Sequence, residues 1–406
     1  MNTRASDYCT RFLAGIDAVA PALWNRLVPV QPGSCLVRHE FLRAFESSGC
    51  LGRENGWEPA HWTLWSAADE LVAALPLYRK WHSYGEYVFD WAWAEAHMRH
   101  GLAYYPKWLS AVPFTPVSGP RFLCTSPDPQ FLNRCLSDLK AQDGSSVHLL
   151  FTRNVPAGAN GAGQGEVEAA QVQSLQRAGF SRRDGIQFHW VNRNFADFED
   201  FLAALSQPKR KKIRAERRKV AELGIRFTVH QAHHINPQLW AFFFACYERT
   251  YALRGNPPYL NLEFFETIHR EAPAMCVMFV GHDAQGPCCA SLVLRDGDDA
   301  FGRYWGALRD YPFVHFEACY YQPVEWAIAS GIRVIEGGAQ GQHKMARGFD
   351  PVATASWHWL RHPAFAEAVD RYLHRESQHL DRVLDELEER SAFRDAANGS
   401  QDNRAG

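Results

Sequence analysis

The stretch Gly302–Phe349 carries most of the side chains in this sequence whose types could do chemistry together. Three of them can accept a proton: Glu317, Glu336 and His343. Around them stand cationic, aromatic and amide side chains that can hold a charged or flat substrate. The residues expected to bind substrate here are Arg303, Tyr304, Trp305, His315, Gln340, Lys344 and Arg347. These residue types predict general acid–base chemistry on a substrate that carries negative charge.

A strand, a helix and a second strand must position these side chains. Their patterns predict them over Ala300–Ala307, His315–Ser330 and Ile332–Ile335. The alternation of the first strand puts Phe301, Arg303 and Trp305 on one face. A glycine-rich run from Glu336 to Lys344 then leaves the carboxyl end of the second strand. Open α/β sheets bind ligands at that edge, so we expect the reaction centre in this loop.

Several runs of residues resemble those of a known protein family. They are GRYWGA, HFEACYYQ and EGGAQGQHKMARGF in this stretch, and HSYGEYVFDWAWAEAH and PFTPVSGPR upstream. The family consists of predicted bacterial N-acyltransferases and is often labelled peptidoglycan biosynthesis or recognition. It is similar to the Fem-type aminoacyl transferases within the GNAT-like superfamily. The resemblance covers the chain from about Ala60 to Glu376.

The resemblance implies transfer of an acyl or aminoacyl group from an activated donor to an amine on a small molecule or peptide. Acyl-CoA and aminoacyl-tRNA are the two donors it suggests, and a cell-wall-related precursor is the acceptor; no tightly bound cofactor is expected. Such a reaction needs a base for the amine and donors for the oxyanion. Glu317, Glu336 and His343 are the candidate bases, and backbone N–H groups of Gly337–Gly341 are the candidate donors.

Other interpretations of the same residues stay open. In the first alternative, Arg303 and Glu317 form a structural ion pair, and His343 makes a hydrogen bond that stabilises its own loop. A metal site is the weaker idea and none is expected, because the His-x-Glu pair at His315 has no second spaced pair. At the level of function, the alternative to a transferase is a non-catalytic module that binds a peptidoglycan precursor or another anionic ligand.

The chain of 406 residues is longer than one hydrophobic core usually grows, which predicts two domains. The order of helices and strands in the first half recurs in the second, and the resemblance implies two GNAT-like folds. We expect an α/β protein of the α+β type, with tandem domains whose mixed, largely antiparallel sheets are flanked by helices. The domains are predicted over 1–190 and 191–395, and a disordered tail over 396–406. Helices are predicted over Phe12–Leu27 and, as a long C-terminal helix in the second domain, over Ala364–Arg390.

A second window with many aromatic and acidic residues runs from His82 to His100. Glu86 and Asp90 within it are expected to bind substrate. The alternative is that each caps a helix or is a satisfied surface group.

A basic helix is predicted over 207–224, because eight of the eleven residues from Lys209 to Lys219 are basic. Like charges at this density repel one another unless an anion is often present. The phosphates of coenzyme A, of a nucleotide-linked precursor or of tRNA could each be this anion. The expected phosphate-binding residues are Lys211, Lys212, Arg214 and Arg218. A solvated helical face is the alternative interpretation.

The overall composition narrows the class of protein. Its 43 basic and 45 acidic side chains give a net charge of −2, which argues against DNA and against broad membrane-surface binding. Its ten cysteines form no C-x-x-C pair, as expected for reduced thiols of a cytoplasmic protein. Neither a signal peptide nor an apolar run long enough to span a membrane is predicted.

Overall fold

The structure is a computed structural model that describes residues 8–152, 164–339, 341–388 and 391–393. The chain forms two compact units. Unit 1 is Met1–Gly185 with Ala353–Leu380, and unit 2 is Ile186–Val352 with Asp381–Gly406. The chain first passes from unit 1 to unit 2 after Gly185, close to the predicted boundary at 190/191. The prediction assigned 353–380 to the second domain, whereas this segment belongs to unit 1. The predicted tail, 396–406, lies outside the described residues.

Residues 353–380 add parts of two later elements to unit 1, and its N-terminal segment combines five helices with two sets of strands in the ranges described. In chain order they are β1 (Tyr8–Leu13), α1 (Pro21–Asn25), α2 (His39–Ser47), β2 (Trp57–Pro59), β3 (His61–Ser66), β4 (Leu71–Leu75), β5 (Tyr78–Lys80), α3 (Trp91–Arg99), β6 (Lys107–Ser110), β7 (Leu123–Cys124), α4 (Pro129–Ala141), β8 (Ser146–Thr152) and α5 (Gln164–Arg177). One set is antiparallel in the order β1-β3-β4-β7, and the other runs β8-β6-β5-β2. Strands β6 and β8 are parallel. The continuous helix predicted over Phe12–Leu27 is wrong: β1, paired with β3, ends at Leu13, and the rest of the range contains a 3₁₀ turn at Ile16–Ala18 and the short α1.

Unit 2 is built around a six-stranded run of sheet. The remaining elements are β9 (Ser181–Val191), α6 (Phe198–Ala204), α7 (Gln207–Glu222), β10 (Arg226–Gln231), α8 (Pro237–Ala252), α9 (Leu262–Glu271), β11 (Cys276–Asp283), β12 (Gly286–Asp296), β13 (Asp299–Ala307), α10 (Val314–Phe316), α11 (Gln322–Ala329), β14 (Val334–Glu336), β15 (Asp350–Leu360) and α12 (Pro363–Glu388). The strand order is β10-β11-β12-β13-β14-β9, antiparallel except for the parallel pair β13 and β14. The predicted fold class, a mixed and largely antiparallel α/β architecture flanked by helices, is confirmed.

The segment 353–380 belongs to unit 1 because its apolar side chains are buried there. Residues of β15 pair with β8, from Ala355 opposite Thr152 to Leu360 opposite Ser146. Val369 and Leu373 of α12 lie in one apolar cluster with Trp93 and Tyr104. Most of the C-terminal helix therefore lies on unit 1, in contrast to the predicted domain division.

In the described part of the chain, no helix is both long and apolar enough to span a membrane.

Strand β13 lies directly against helix α8 at Gly306. A Cβ atom at this position would stand 1.9 Å from the carbonyl oxygen of Cys246. Thr250, also on α8, donates a hydrogen bond to the carbonyl oxygen of Trp305 over 3.1 Å. The helix is thus held close to the strand, and Gly306 is required by the approach of the two backbones.

We expect Gly306→Ala to lower the free energy of unfolding by about 2–3 kcal/mol, because the added methyl group forces the helix away from the strand. Gly302→Ala on the same strand is the matched control: its Cβ meets nothing nearer than the Glu336 carbonyl oxygen at 3.7 Å. The control should change stability by no more than about 0.5 kcal/mol. Denaturant titrations followed by circular dichroism measure both, and equal midpoints would contradict this close approach.

Candidate active site

The candidate site lies where β13 and β14 part. The two strands pair in parallel over Asp299–Phe301 and Val334–Glu336. Strand β14 then ends, whereas β13 continues to Ala307. Parallel strands that separate at their carboxyl ends leave a cleft between them, which is the usual position of ligands in sheets of this kind.

A β-bulge at Arg303 interrupts the regular alternation of β13. Its neighbours Gly302 and Tyr304 face consecutive residues of β12, so Arg303 is the extra residue. Phe301 is 2% exposed, whereas Arg303 and Trp305 are half-buried. The common face predicted for these three side chains is therefore not formed as a uniform surface, and bulges of this kind often re-aim a side chain near a functional site.

Two of the predicted substrate-binding residues lie in or beside packed aromatic clusters. Tyr304 is buried against the rings of Tyr247 and Phe265, at centroid distances of 5.5 and 5.4 Å, and its contact with substrate stays a prediction. Trp305 contacts the ring of His315 at 5.2 Å. Burial lowers the pKa of His315 to about 4, and neighbouring cationic groups act in the same direction. The predicted binding residue Gln340 lies outside the described residues.

Glu317 is the first residue of a π-helical turn, Glu317–Tyr321, that joins α10 to α11. Its carboxylate is 4% exposed and accepts hydrogen bonds at Oε1 from Arg217 (3.1 Å) and Gln322 (2.7 Å). Its other oxygen, Oε2, is buried without a hydrogen-bond partner among the residues the structure describes. Burial raises the pKa of Glu317, although the charge of Arg217 opposes the shift. Such a carboxylate is better suited to accept a proton near neutral pH than an exposed one.

His343 is an exposed imidazole that is bonded to Tyr320. Its Nε2 lies 3.0 Å from the Tyr320 hydroxyl, and its ring covers Gly341, where a Cβ atom would stand 2.2 Å from Cε1. Burial, followed by the charges of Arg347 and Lys344, lowers the pKa of His343 and keeps it neutral at pH 7. Tyr320, on the π-helical turn, thus orients this ring.

Glu336 ends β14 and is 6% exposed. Its Oε1 lies 3.9 Å from Nε2 of His189, on the adjacent strand β9. Burial lowers the pKa of His189 to about 4, so this neighbour is a neutral ring and not a counter-ion. The structure thus places the three predicted bases on neighbouring elements, each with different partners.

Arg347 is buried in an ion pair, and its role as a substrate ligand stays a prediction. It is 2% exposed, and its Nη2 donates to both carboxylate oxygens of Glu216 at 3.0 and 2.8 Å. Its Nη1 donates to the carbonyl of His343 over 2.7 Å, and its guanidinium lies 3.4 Å from the ring centroid of Phe316. The Tyr321 hydroxyl donates to the same carboxylate of Glu216. This buried pair fixes helix α7, the π-helical turn and the loop before β15 to one another.

Lys344 closes the glycine loop. Its ammonium donates to the carbonyls of Gly337 and Gly338 at 2.5 and 3.1 Å. Burial lowers its pKa to about 8, with a further contribution from Arg303. The N–H of Gly337 donates to the carbonyl of Phe188 over 2.8 Å. That group is therefore engaged within the fold, which removes it from the predicted oxyanion donors.

The basic helix is confirmed as α7, and its four predicted phosphate-binding residues differ in their surroundings. Lys211 and Lys212 are exposed, with no ion pair to any described residue. Arg214 pairs with Glu199, and Arg218 lies 3.7 Å from Glu222. Lys212 is close enough to lower the pKa of His343. The helix therefore offers two lysines to an anion near the candidate site.

Glu86 and Asp90 lie in unit 1, in a buried ionic network. Both accept hydrogen bonds from the ammonium of Lys107, which also bonds to Ser83 over 2.8 Å. Nζ of Lys80 lies 3.8 Å from Oε1 of Glu86, and all four titratable side chains are at most 4% exposed. This network ties the loop after β5 to the sheet, and the substrate-binding role of the two acids stays a prediction.

The same network continues along the sheet through neutral groups. The Tyr104 hydroxyl donates to Asp90 over 2.6 Å and lies 3.3 Å from Nε2 of His148. Nδ1 of His148 lies 2.8 Å from Nδ1 of His358. Burial lowers the pKa of His148 to about 3 and holds that of His358 well below its usual value, so both rings are neutral. Lys80, Lys107 and the two histidines were missed because they sit on strands far apart in sequence.

Lys80 should make stability depend on pH. Burial lowers its pKa from 10.5 to about 6 in the folded protein. Between these values the unfolded chain binds one more proton, so the free energy of unfolding rises with pH. We expect Lys80→Met to reduce this slope by up to about 1.4 kcal/mol per pH unit between pH 7.5 and 9.5. Urea titrations across this range measure it, and Lys140→Met is the control. An unchanged slope in Lys80→Met would show that Lys80 is charged in the folded state.

Three functional side chains of unit 2 were also missed by sequence reasoning. Glu216 could have been found, since it shares a buried helical face with Ile213 and Val220 at spacings of three and four. Arg217 and Tyr320 carry no such signal, because their importance follows from their partners Glu317 and His343. In the described ranges, no three His, Cys, Asp or Glu side chains come together as a metal site would require.

Comparisons with known proteins identify the family. The chain is 11% identical to FemX, with a TM-score of 0.51, over 84% of this chain and 96% of that one. It also resembles L-PGS from Bacillus licheniformis, with 11% identity and a TM-score of 0.47; the match covers 82% of this chain and 95% of L-PGS. A tandem GNAT protein from the clavulanic acid pathway is a further neighbour (12% identity, TM-score 0.45, 88% and 99% covered). No curated protein matches the chain.

The FemX likeness concerns the fold. The profile of one sequence family, described as FemAB-like and as peptidoglycan biosynthesis/recognition, matches residues 15–395. This range includes both units and every candidate residue named above. The resemblance seen in the sequence is thereby confirmed, and the chain belongs to the FemAB-like peptidoglycan biosynthesis/recognition family.

Proposed function

We propose that this protein is an N-acyltransferase that moves an acyl or aminoacyl group from an activated donor to an amine of a cell-wall-related acceptor. The observation that carries the proposal is Glu317, a buried carboxylate with a raised pKa and one oxygen without a hydrogen-bond partner among the described residues. It is the first residue of the π-helical turn between α10 and α11, and π-helical turns are frequent at functional sites. Membership of the FemAB-like family supports transfer chemistry of this class.

In the proposed reaction the amine nitrogen attacks the carbonyl carbon of the donor ester or thioester. A C–N bond forms, the C–O or C–S bond breaks, and the leaving group takes the electron pair. The amine must lose a proton, and Glu317 is the group that accepts it. Its pKa favours this role, because a carboxylate with a raised pKa is a stronger base.

His343 and Tyr320 would assist at the other end of the reaction. The neutral imidazole and the phenol form a hydrogen-bonded pair beside the glycine loop. Such a pair can donate a hydrogen bond to the carbonyl oxygen on which negative charge develops. Arg303 and Lys344 add positive charge, as the effect of Arg303 on the pKa of Lys344 indicates. The surroundings therefore favour an anionic substrate and an anionic transition state.

The donor in this proposal carries phosphate, held by Lys211 and Lys212 of α7. Coenzyme A thioesters and aminoacyl-tRNA both meet this requirement. They differ in charge, since tRNA presents many phosphates along a strand and would show a much stronger dependence on salt. Thermal stability in the presence of coenzyme A or uncharged tRNA tests which of the two binds, because a ligand of the native state raises the melting temperature.

We expect Lys211→Gln/Lys212→Gln to weaken tRNA binding and to reduce the slope of log K against log salt by about 1.5–2. The matched control is Arg214→Gln/Arg218→Gln, which removes the same charge from the same helix but at positions already paired with acids. Its slope should fall by less than half as much. Filter binding between 50 and 300 mM salt measures both. A slope in Lys211→Gln/Lys212→Gln equal to that of the wild type would return α7 to the role of a solvated surface.

A non-catalytic binding module is the alternative outcome of these experiments. It would bind an anionic ligand through the same residues and form no amide with any donor.

A further inference from the structure

The π-helical turn between α10 and α11 brings together two side chains that an α-helix would keep apart. The backbone N–H of Gln322 donates to the carbonyl of Glu317, five residues earlier, which is the hydrogen bond typical of a π-helix. In an α-helix, side chains five residues apart point about 140° away from each other, because each residue turns the chain by about 100°. The wider π-helical turn reduces this angle. Gln322 therefore lies beside Glu317, and its Nε2 donates to Oε1 of Glu317 over 2.7 Å.

A second donor reaches the same carboxylate oxygen from helix α7. Nε of Arg217 donates to Oε1 of Glu317 over 3.1 Å. The guanidinium of Arg217 is itself held by two other elements: its Nη2 donates to Glu325 on α11 over 2.7 Å, and its Cζ lies 4.5 Å from the ring centroid of Phe198 on α6. These contacts fix the direction of the guanidinium, so Arg217 holds the carboxylate of Glu317 in one orientation.

The two oxygens of Glu317 are therefore in different situations. Oε1 accepts both hydrogen bonds, whereas Oε2 is buried and accepts none from any residue that the structure describes. A buried carboxylate oxygen without a donor is costly, so its place in the fold requires an explanation. An N–H group of the substrate amine supplies the missing donor, because an amine that reaches Oε2 completes the hydrogen bonding of the carboxylate before it loses its proton.

The groups around Glu317 act on its ionisation in opposite directions. Burial raises the pKa of its carboxyl group, and the negative charge of Glu325 acts in the same direction. The charge of Arg217 and the hydrogen bonds from Gln322 and Arg217 lower this pKa, because they stabilise the ionised form. A carboxylate has to be ionised before it can accept a proton. Loss of either donor should therefore make Glu317 ionise only at higher pH.

We propose that Gln322 and Arg217 are positioning residues that hold Oε1 of Glu317 and leave Oε2 as the oxygen that accepts the proton of the amine. The proton passes from nitrogen to Oε2, and the electron pair of the N–H bond stays on the nitrogen. The π-helical turn makes the arrangement possible, because it places Gln322 beside Glu317. This inference rests on the proposed function, since it assigns roles within the same site.

Steady-state rates between pH 5 and 9 test the inference with Gln322→Leu, which removes the amide and keeps a side chain of similar size. We expect kcat to fall about tenfold, because the carboxylate loses its fixed orientation. The rising limb of kcat/KM should move up by about one pH unit, since the ionised form loses a hydrogen bond. Gln238→Leu makes the same substitution at an exposed position of α8 and should change neither quantity. Arg217→Lys, which keeps the charge, should move the limb less than Arg217→Met.

A measurement without substrate separates this inference from the proposed function. The side-chain carboxyl carbon of Glu317 is titrated by ¹³C NMR in protein labelled at its glutamates, and the signal absent from Glu317→Gln identifies it. The midpoint should lie at higher pH in Gln322→Leu and in Arg217→Met than in the wild type or Gln238→Leu.

Unchanged midpoints in Gln322→Leu and Arg217→Met would overturn the inference whether or not amide is formed. Amide formation by Gln322→Leu with the rate and pH profile of the wild type would overturn it and leave the proposed function intact. A wild-type protein that forms no amide would overturn the proposed function and the acceptor role of Oε2, and moved midpoints would then support only the hold of Gln322 and Arg217 on Oε1.

Discussion

Glu317→Gln is expected to reduce the turnover number by about 10²–10⁴ while the protein stays folded, because the substitution removes the proton acceptor and keeps the shape of the side chain. The rising limb of kcat/KM against pH should vanish in the variant. In the wild type this limb is expected above the ordinary glutamate range, since burial raises the pKa of Glu317. Steady-state rates between pH 5 and 9 measure both effects.

Glu325→Gln is the matched control for this prediction. Glu325 also pairs with Arg217, at 2.7 Å, but its side chain is about half exposed. It should keep turnover within about twofold, because exposed ion pairs contribute little. If the two variants lose activity equally, the effect passes through Arg217 and the base must be another residue.

Arg347→Met is expected to lower the free energy of unfolding by about 3–5 kcal/mol, since it leaves the carboxylate of Glu216 buried without its counter-ion. For a unit of this size the melting temperature should fall by about 10 °C. Calorimetry measures the loss. From the sequence alone, Arg347 is expected to bind substrate, because an arginine in a glycine-rich loop is typical of a substrate ligand.

A second substitution distinguishes the broken ion pair from simple loss of volume. Adding Glu216→Gln to Arg347→Met removes the remaining buried charge, so the double variant should recover a large part of the lost stability. A double variant less stable than Arg347→Met would show that Glu216 is held mainly by its bond to Tyr321.

The sequence predicted the elements around the site better than the contacts within it. The patterns at 300–307 and 315–330 gave β13 and the helical segment 314–329 almost residue for residue, since alternation and helical spacing are local properties. Charge density alone predicted α7. The N-terminal helix was predicted too long: Phe12 and Leu13 pair with β3, a partner about fifty residues away, and only the short segments Ile16–Ala18 and α1 are helical in the rest of the range.

Contacts between distant segments explain the other errors. The bond between Arg347 and Glu216 joins residues 131 positions apart, and no local pattern predicts it. The same holds for the bond between Lys107, the first residue of β6, and Asp90, the residue before α3. No local pattern predicts that these two charged side chains meet in the interior of unit 1. The return of 353–380 to unit 1 follows from the pairing of β15 with β8. Sequence spacing identified acids and bases; the fold determines which are buried, paired or exposed.

Detection of the amide product tests the central claim most directly. The purified protein is mixed with a set of acyl-CoA or aminoacyl-tRNA donors and a peptidoglycan-precursor peptide bearing a free amine, and the product is followed by mass spectrometry. The account predicts a new amide with at least one donor, formed at least 100-fold more slowly by Glu317→Gln than by Glu325→Gln. Amide formation at equal rates by both variants, or none with any donor that raises the melting temperature, would contradict it.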